Sequence, residues 1–201
     1  ARPSGMDDSL CVSDCTDCPR LVDSRSQIVN GVGPTDAQLV FVGEGPGANE
    51  DEAGEPFVGR SGTVLDDALD NAGLERGAVR ITNSVRCRPP ENRDPRSGEL
   101  DNCRRHLATE LAAVDPAVVV ALGKVPAQNL LDRSVAVTSE AGDVHDARVG
   151  ETTHRVLICV HPAATLYDAS QQDTFESTIQ TAADLAGEGG DGDGQSRLGE
   201  W

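Results

Sequence analysis

Four thiols at short, repeated spacings offer the first chemistry in this chain. Cys15-x2-Cys18 has the spacing of a two-ligand metal knuckle, and Cys87 and Cys103 form a second pair separated by fifteen residues. The chain holds six cysteines. In a reducing cytoplasm such residues serve as metal ligands rather than disulfides. Four thiolates hold either zinc or an iron-sulfur cluster, and spacing alone leaves both open. Cys159 sits inside the apolar run Val156–Val160, where a cysteine behaves as a small buried hydrophobe. Cys11-x3-Cys15-x2-Cys18 also has the spacing used by radical enzymes that cleave S-adenosylmethionine. Asp17 stands where those enzymes carry an aromatic residue, no barrel strand precedes the motif, and 201 residues are few for such a barrel. That reading is set aside.

A second group of polar residues falls at the ends of apolar runs. Leu39–Val42 leads into Gly43-Glu44-Gly45-Pro46-Gly47, with Gly54-Glu55-Pro56-Phe57-Val58-Gly59-Arg60 following. A glycine-rich turn after a strand is a tight turn or a phosphate cradle. Here it lacks a P-loop lysine and is crowded by Glu44, Glu50, Asp51 and Glu52, which argues against a nucleoside triphosphate. Val79–Val85 contains Thr82-Asn83-Ser84, and Arg155–Val160 ends at His161-Pro162-Ala163-Ala164.

These runs and Ala117–Leu122 read as four strands. Between them, helices are expected from Ser61 as N-cap to a stop at Gly73, over 97–114 and over 126–131, with a closing helix over 173–186. Strands alternating with helices predict a three-layer α/β/α sandwich around a mostly parallel four-stranded sheet, with ligand groups at the carboxyl ends of the strands. One domain over residues 1–186 is expected. Its segment 10–30, rich in Cys, Asp and Ser without apolar periodicity, needs a metal to fix it. Residues 187–201, acidic and glycine-rich, read as a disordered tail.

The formal charge of -17 opposes a polyanion partner at first sight. Thirty-four acids and a single lysine, Lys124, suggest adaptation to a salt-rich cytoplasm, as in a halophilic archaeon. Arg76–Arg105 departs from the trend, carrying half of the sixteen arginines. A phosphate backbone would be met there. The chain has no run near the ~18 apolar residues of a membrane span, and Ala1–Leu10 lacks the marks of a secretory leader. A cytoplasmic location away from membranes is therefore expected.

Together, the knuckle, the GE-G-PG loop, PFVG-x-SG, ITN-x-V-x-CRPP-x-NRDP, the helix cysteine Cys103 and HPAA resemble the family 4 uracil-DNA glycosylases. The resemblance covers Cys15 to about Tyr167. It implies a base-excision-repair hydrolase that is monofunctional and cleaves uracil from single- or double-stranded DNA to leave an abasic site. A 4Fe-4S cluster would sit on Cys15, Cys18, Cys87 and Cys103, with zinc as the alternative. Glu44, Asn92 and His161 are implied as catalytic, and Gly45, Glu50, Phe57 and Asn83 as uracil-binding. Arg88, Arg93 and Arg96 are expected to meet DNA. A monomer is expected, with a sliding clamp as a further candidate partner. The rival readings are a glycosylase for another deaminated base and a non-catalytic iron-sulfur protein that binds DNA or transfers electrons.

Overall fold

A computed structural model describes residues 10–189 of the chain. Its strands are β1 (Leu39–Gly43), β2 (Arg80–Asn83), β3 (Val118–Leu122), β4 (Val144–Val149) and β5 (Thr152–Cys159). The helices are α1 (Pro19–Ser24), α2 (Ala48–Ala53), α3 (Arg60–Asn71), α4 (Ser97–Val114), α5 (Lys124–Leu131), α6 (Val137–Glu140), α7 (Pro162–Thr165) and α8 (Ser170–Gly189). None of these helices is long and apolar enough to cross a membrane.

The strands form one sheet in the order β2-β1-β3-β5-β4. The first four run parallel and β4 pairs antiparallel with β5. The sheet therefore has five strands rather than the expected four. The missed strand, β4, is an edge strand with a mostly polar sequence and only Ala147 and Val149 buried, so it lacks the continuous apolar signature of its neighbours. β1 and β3 are buried at every position because helices cover both faces. Alternate side chains divide between two cores. Leu39 and Phe41 pack with Leu65, Leu69, Phe175 and Ile179 on the side of α3 and α8. Val40 and Val42 pack with Leu107, Leu111, Ala127 and Leu130 on the side of α4 and α5.

Several element boundaries differ from expectation, among them the start of α5 at Lys124 rather than 126. Helix α3 begins at Arg60 on a Gly59 N-cap, two residues before the start that Ser61 suggested. Helix α8 continues through Gly189, so 187–189 belong to the helix and not to a tail; the rest of that segment lies outside the described residues.

An ion network spans the interior on the α4 side. Glu110 on α4 is fully buried and accepts from Arg80 Nε at 2.6 Å, Arg86 Nη2 at 2.7 Å and Thr82 Oγ1 at 2.9 Å. Arg80 also donates to Gly33 O, and Arg86 to Asn30 Oδ1. One carboxylate thus joins β2, the segment after it and residues 30–33 to α4. Breaking a buried ion pair from one side leaves an uncompensated charge, at a cost of about 3–5 kcal/mol. Glu110→Gln is expected to destabilise the fold by that amount in chemical denaturation. A loss below ~1 kcal/mol would show that the network is not a structural support.

Candidate active site

The carboxyl ends of β1, β2, β3 and β5 open on one edge of the sheet, where an α/β fold places its ligand groups. Parallel register sets Gly43, the last residue of β1, beside Asn83, the last of β2. Around them Glu44, Gly45, Glu50, Phe57, Asn83 and His161 line a cavity of about 180 Å3. Pockets for drug-sized ligands start near ~300 Å3, so this one suits a single planar heterocycle.

Glycines make the room. A Cβ on Gly43 would lie 2.4 Å from Asn83 Oδ1 and 2.6 Å from the Phe57 ring. A Cβ on Gly62 would lie 1.9 Å from the Phe57 carbonyl oxygen. Phe57 holds a left-handed backbone, with φ at 54°, and Arg76 Nη2 fixes it by donating to the Pro56 and Phe57 carbonyls. A bulky residue in that region is strained, and such strain collects at functional sites. The Phe57 ring stacks toward His161, centroids 6.1 Å apart and planes 30° from parallel.

The polar groups divide into those that brace the cavity and those that face it. Glu50 lines it, yet both its carboxylate oxygens are engaged, accepting from Gly47 N and Gly59 N at 3.1 Å. It ties the two glycine-rich segments together. Asn83 is only 4% exposed, and its amide makes no hydrogen bond within the described residues. Its polar atoms open on the cavity rather than being shielded within the protein, so their hydrogen-bonding capacity is directed to what enters it.

His161 caps α7, and its Nδ1 accepts from Ala163 N at 3.1 Å. Nδ1 is therefore the unprotonated nitrogen. Burial pushes the imidazole below its usual range, so the ring is neutral near pH 7 and its proton resides on Nε2. Gly123, after β3, packs against this ring at a distance that leaves little room for a Cβ.

Glu44 is raised to about 7, first by burial and then by the charge and hydrogen bond of the Asp94 carboxyl. Two carboxyls in contact favour sharing a proton. The contact joins positions fifty residues apart, so no local sequence pattern marks Asp94 as part of the site.

The remaining candidates lie on the rim. Asn92 is exposed in the 3-10 turn Pro90–Asn92, with φ at 54°, and is not part of the cavity lining. Its Oδ1 accepts from Arg88 Nε at 2.8 Å. Arg93 forms a two-pronged pair with Glu99 at 2.7 and 2.8 Å, and Glu99 also accepts from Arg96 N. Arg93 thereby holds the loop that presents Asp94. Much of the arginine-rich segment is consumed internally in this way: Arg76, Arg80, Arg86, Arg93 and Arg105 pair with acids. Among the arginines of that segment, all of them described, only the Arg96 side chain donates to nothing.

Cys15, Cys18, Cys87 and Cys103 converge on a second, small cavity behind this loop, closed by Leu21, Val22, Arg25 and Asn102. Cys159 is apart from it, buried in β5 as expected. Burial pushes the Cys103 thiol up to about 11 and the Cys87 thiol upward as well. Buried thiols of this kind become thiolates when a cation compensates their charge, so the donor set fits a metal group. From Arg25 the chain runs directly to the pocket. Ser26 N donates to the Asp51 carboxylate at 2.9 Å and Gln27 Nε2 to the Asp51 and Glu52 carbonyls, anchoring α2, which carries Glu50.

The family model of the uracil DNA glycosylase superfamily matches residues 30–186. The chain belongs to this superfamily. It is 39% identical over 180 residues to a type-4 uracil-DNA glycosylase of Archaeoglobus fulgidus, covering 88% of this chain and 90% of the relative. A type-4 uracil-DNA glycosylase of Pyrobaculum aerophilum is 36% identical over 84% of this chain and 87% of its own. One of Thermotoga maritima is 39% identical over 80% and 82%. A neutral histidine with its proton on Nε2 is chemically suited to donate to a group on which negative charge develops. One such donor contributes on the order of 3 kcal/mol. His161→Ala is expected to slow uracil release by about a hundredfold or more with its melting temperature retained, and an unchanged single-turnover rate would remove it from the mechanism.

Proposed function

We propose that this glycosylase excises uracil by hydrolysing its N-glycosidic bond, leaving an abasic site, and that the carrying observation is the amide of Asn83, which lines the cavity and makes no hydrogen bond among the described residues. The base must first leave the helical stack to enter so small a cavity. Phe57 stacks on its ring. The Asn83 carbonyl accepts from uracil N3–H and its amino group donates to O4. Cytosine presents the reverse pattern and would leave both groups of Asn83 mispaired, a strong form of rejection. Glu50 restricts the space near the base by position, while its carboxylate holds the loops in register.

As the bond from C1′ to N1 breaks, its electron pair leaves with uracil, and His161 Nε2–H stabilises the charge at O2. Water adds to C1′ and gives its proton to Glu44, whose carboxyl, shared with Asp94, is basic enough near neutral pH to accept it. Asn92 serves the rim by holding Arg88, and Arg88 and Arg96 are proposed to meet DNA phosphates while Arg93 holds their loop. The enzyme would act as a monomer on single- or double-stranded DNA.

The cysteine quartet is proposed to hold a 4Fe-4S cluster. No three described cysteine sulfurs lie within 4.8 Å of one another, whereas tetrahedral zinc at a Zn–S distance of ~2.3 Å requires sulfurs roughly 3.8 Å apart. When bound, the cluster would supply cross-linking of the segment 10–30 to the loop of Cys87 and to α4. A sliding clamp is proposed as partner of the last residues. Gln195, Leu198 and Trp201 recur at every third position after a glycine and aspartate run, and evenly spaced anchors of this kind suit recognition by an apolar groove on a partner. They lie outside the described residues.

Two experiments follow. The groups facing Glu44 are Asp94 from the loop before α4, Glu50 from α2 and His161 after β5. Below about pH 7 Glu44 is protonated and accepts no proton, so single-turnover cleavage should rise as pH passes through that value and level off above it. Asp94→Asn removes the like charge and should move the rise to lower pH, and Glu44→Gln should keep partial activity and abolish it. A Glu44→Gln profile with the same rise would exclude Glu44 as the titrating base. Deleting residues 195–201 should abolish association with the clamp and leave cleavage of short oligonucleotides unchanged; retained clamp binding would rule out this docking peptide.

A further inference from the structure

Arg25 occupies an unusual electrostatic position. It follows α1, is half-buried, and lies 62 positions before Cys87 in the chain. Its Nη1 is 2.9 Å from Cys87 Sγ, and its Nη2 donates at 2.9 Å to the carbonyl of Cys15. One guanidinium thereby bridges ligands from the two cysteine pairs.

Two other arginines near the quartet are neutralised by acids. Arg86 also lines the cysteine cavity, but it is paired with Glu110 and donates to Asn30 and to backbone carbonyls. Arg105 is paired with Asp17. Arg25 has no carboxylate partner among the described residues. Among the described residues, the side-chain acceptor of Arg25 is the sulfur of Cys87. Asn102 makes a weaker, uncharged contact of the same kind, with Nδ2 at 3.5 Å from Cys18 Sγ.

We propose that Arg25 is a positioning and tuning residue for the cysteine site, its charged N–H fixing Cys87 Sγ and drawing electron density from it, so that a bound iron-sulfur cluster is both retained and easier to reduce. The inference rests on the cluster reading given above. Hydrogen bonds and charge at ligand sulfurs set the reduction potential of such clusters, and partners just outside the ligand shell set metal retention. A guanidinium does both here because a single rigid fork makes both contacts. A residue that only braced the Cys15 backbone would affect retention and leave the potential where it was.

The test uses the full-length protein purified with its cofactor, as wild type, Arg25→Lys, Arg25→Gln and Arg25→Ala. The midpoint potential is read by voltammetry or by an electron-paramagnetic-resonance titration. Cluster retention is read from visible absorbance during incubation with an iron chelator. Arg25→Gln and Arg25→Ala should have more negative midpoints than wild type, with Arg25→Lys between, and Arg25→Ala should lose its colour about ten times faster or more. Should Arg25→Ala fail to retain iron during purification, Arg25→Lys and Arg25→Gln still report the potential. Midpoints equal to wild type in colour-retaining Arg25→Gln and Arg25→Lys would overturn the proposal. A colourless wild-type protein containing zinc would instead overturn the cluster reading beneath it, so the two failures are distinct.

Discussion

The buried carboxylate of Glu110 is the constraint on which the rest of this structure depends. β2 is short and lies at the edge of the sheet, yet it must deliver Asn83 to the pocket and Cys87 to the metal site within a few residues. Apolar packing alone does not fix so short a strand, since one of its four residues is arginine. Glu110 resolves this by accepting Arg80 from the strand, Thr82 from its next position and Arg86 from the segment beyond. A Cβ on Gly31 would fall 2.1 Å from the same carboxylate, so the N-terminal segment passes there as bare backbone. The ion network costs desolvation, and its return is register: recognition and metal binding stand on one rigid segment.

From that support, the two cavities share their walls. The loop from Cys87 to Asp94 has the cysteine site at one end and the Glu44–Asp94 contact at the other. Segment 25–27 makes a second connection, from Arg25 at the sulfur of Cys87 to Asp51 on the helix that carries Glu50. The pocket is therefore held from two directions by the metal-binding region. A site meant to discriminate bases by a single amide needs this rigidity, because errors of an ångström would blur the distinction.

Much of this was legible in the sequence. Apolar runs marked β1, β3 and β5, while β2 was read from the mixed stretch Val79–Val85; Glu44, Gly45, Asn83 and His161 fall at or just after strand ends, Glu50 and Phe57 in the segment that follows β1, and all six line one cavity. The four cysteines that spacing singled out converge on one small cavity. The misses share a physical cause, which is dependence on contacts distant in the chain. β4 is polar because it is an edge, so its pattern is weak. Arg93 is basic in composition but neutralised by Glu99. Asp94 and Arg25 matter through a carboxyl and a sulfur that folding alone brings near.

The missing methyl at Gly43 has a consequence for engineering. Asn83 and Phe57 both approach this one position, so the recognition amide and the stacking ring cannot be altered independently: any larger residue at Gly43 displaces both. Redesign toward another base must therefore begin at Asn83 itself, with Gly43 and Gly62 kept as they are. The shape of the pocket is thus held by the absence of a side chain as much as by the contacts around it.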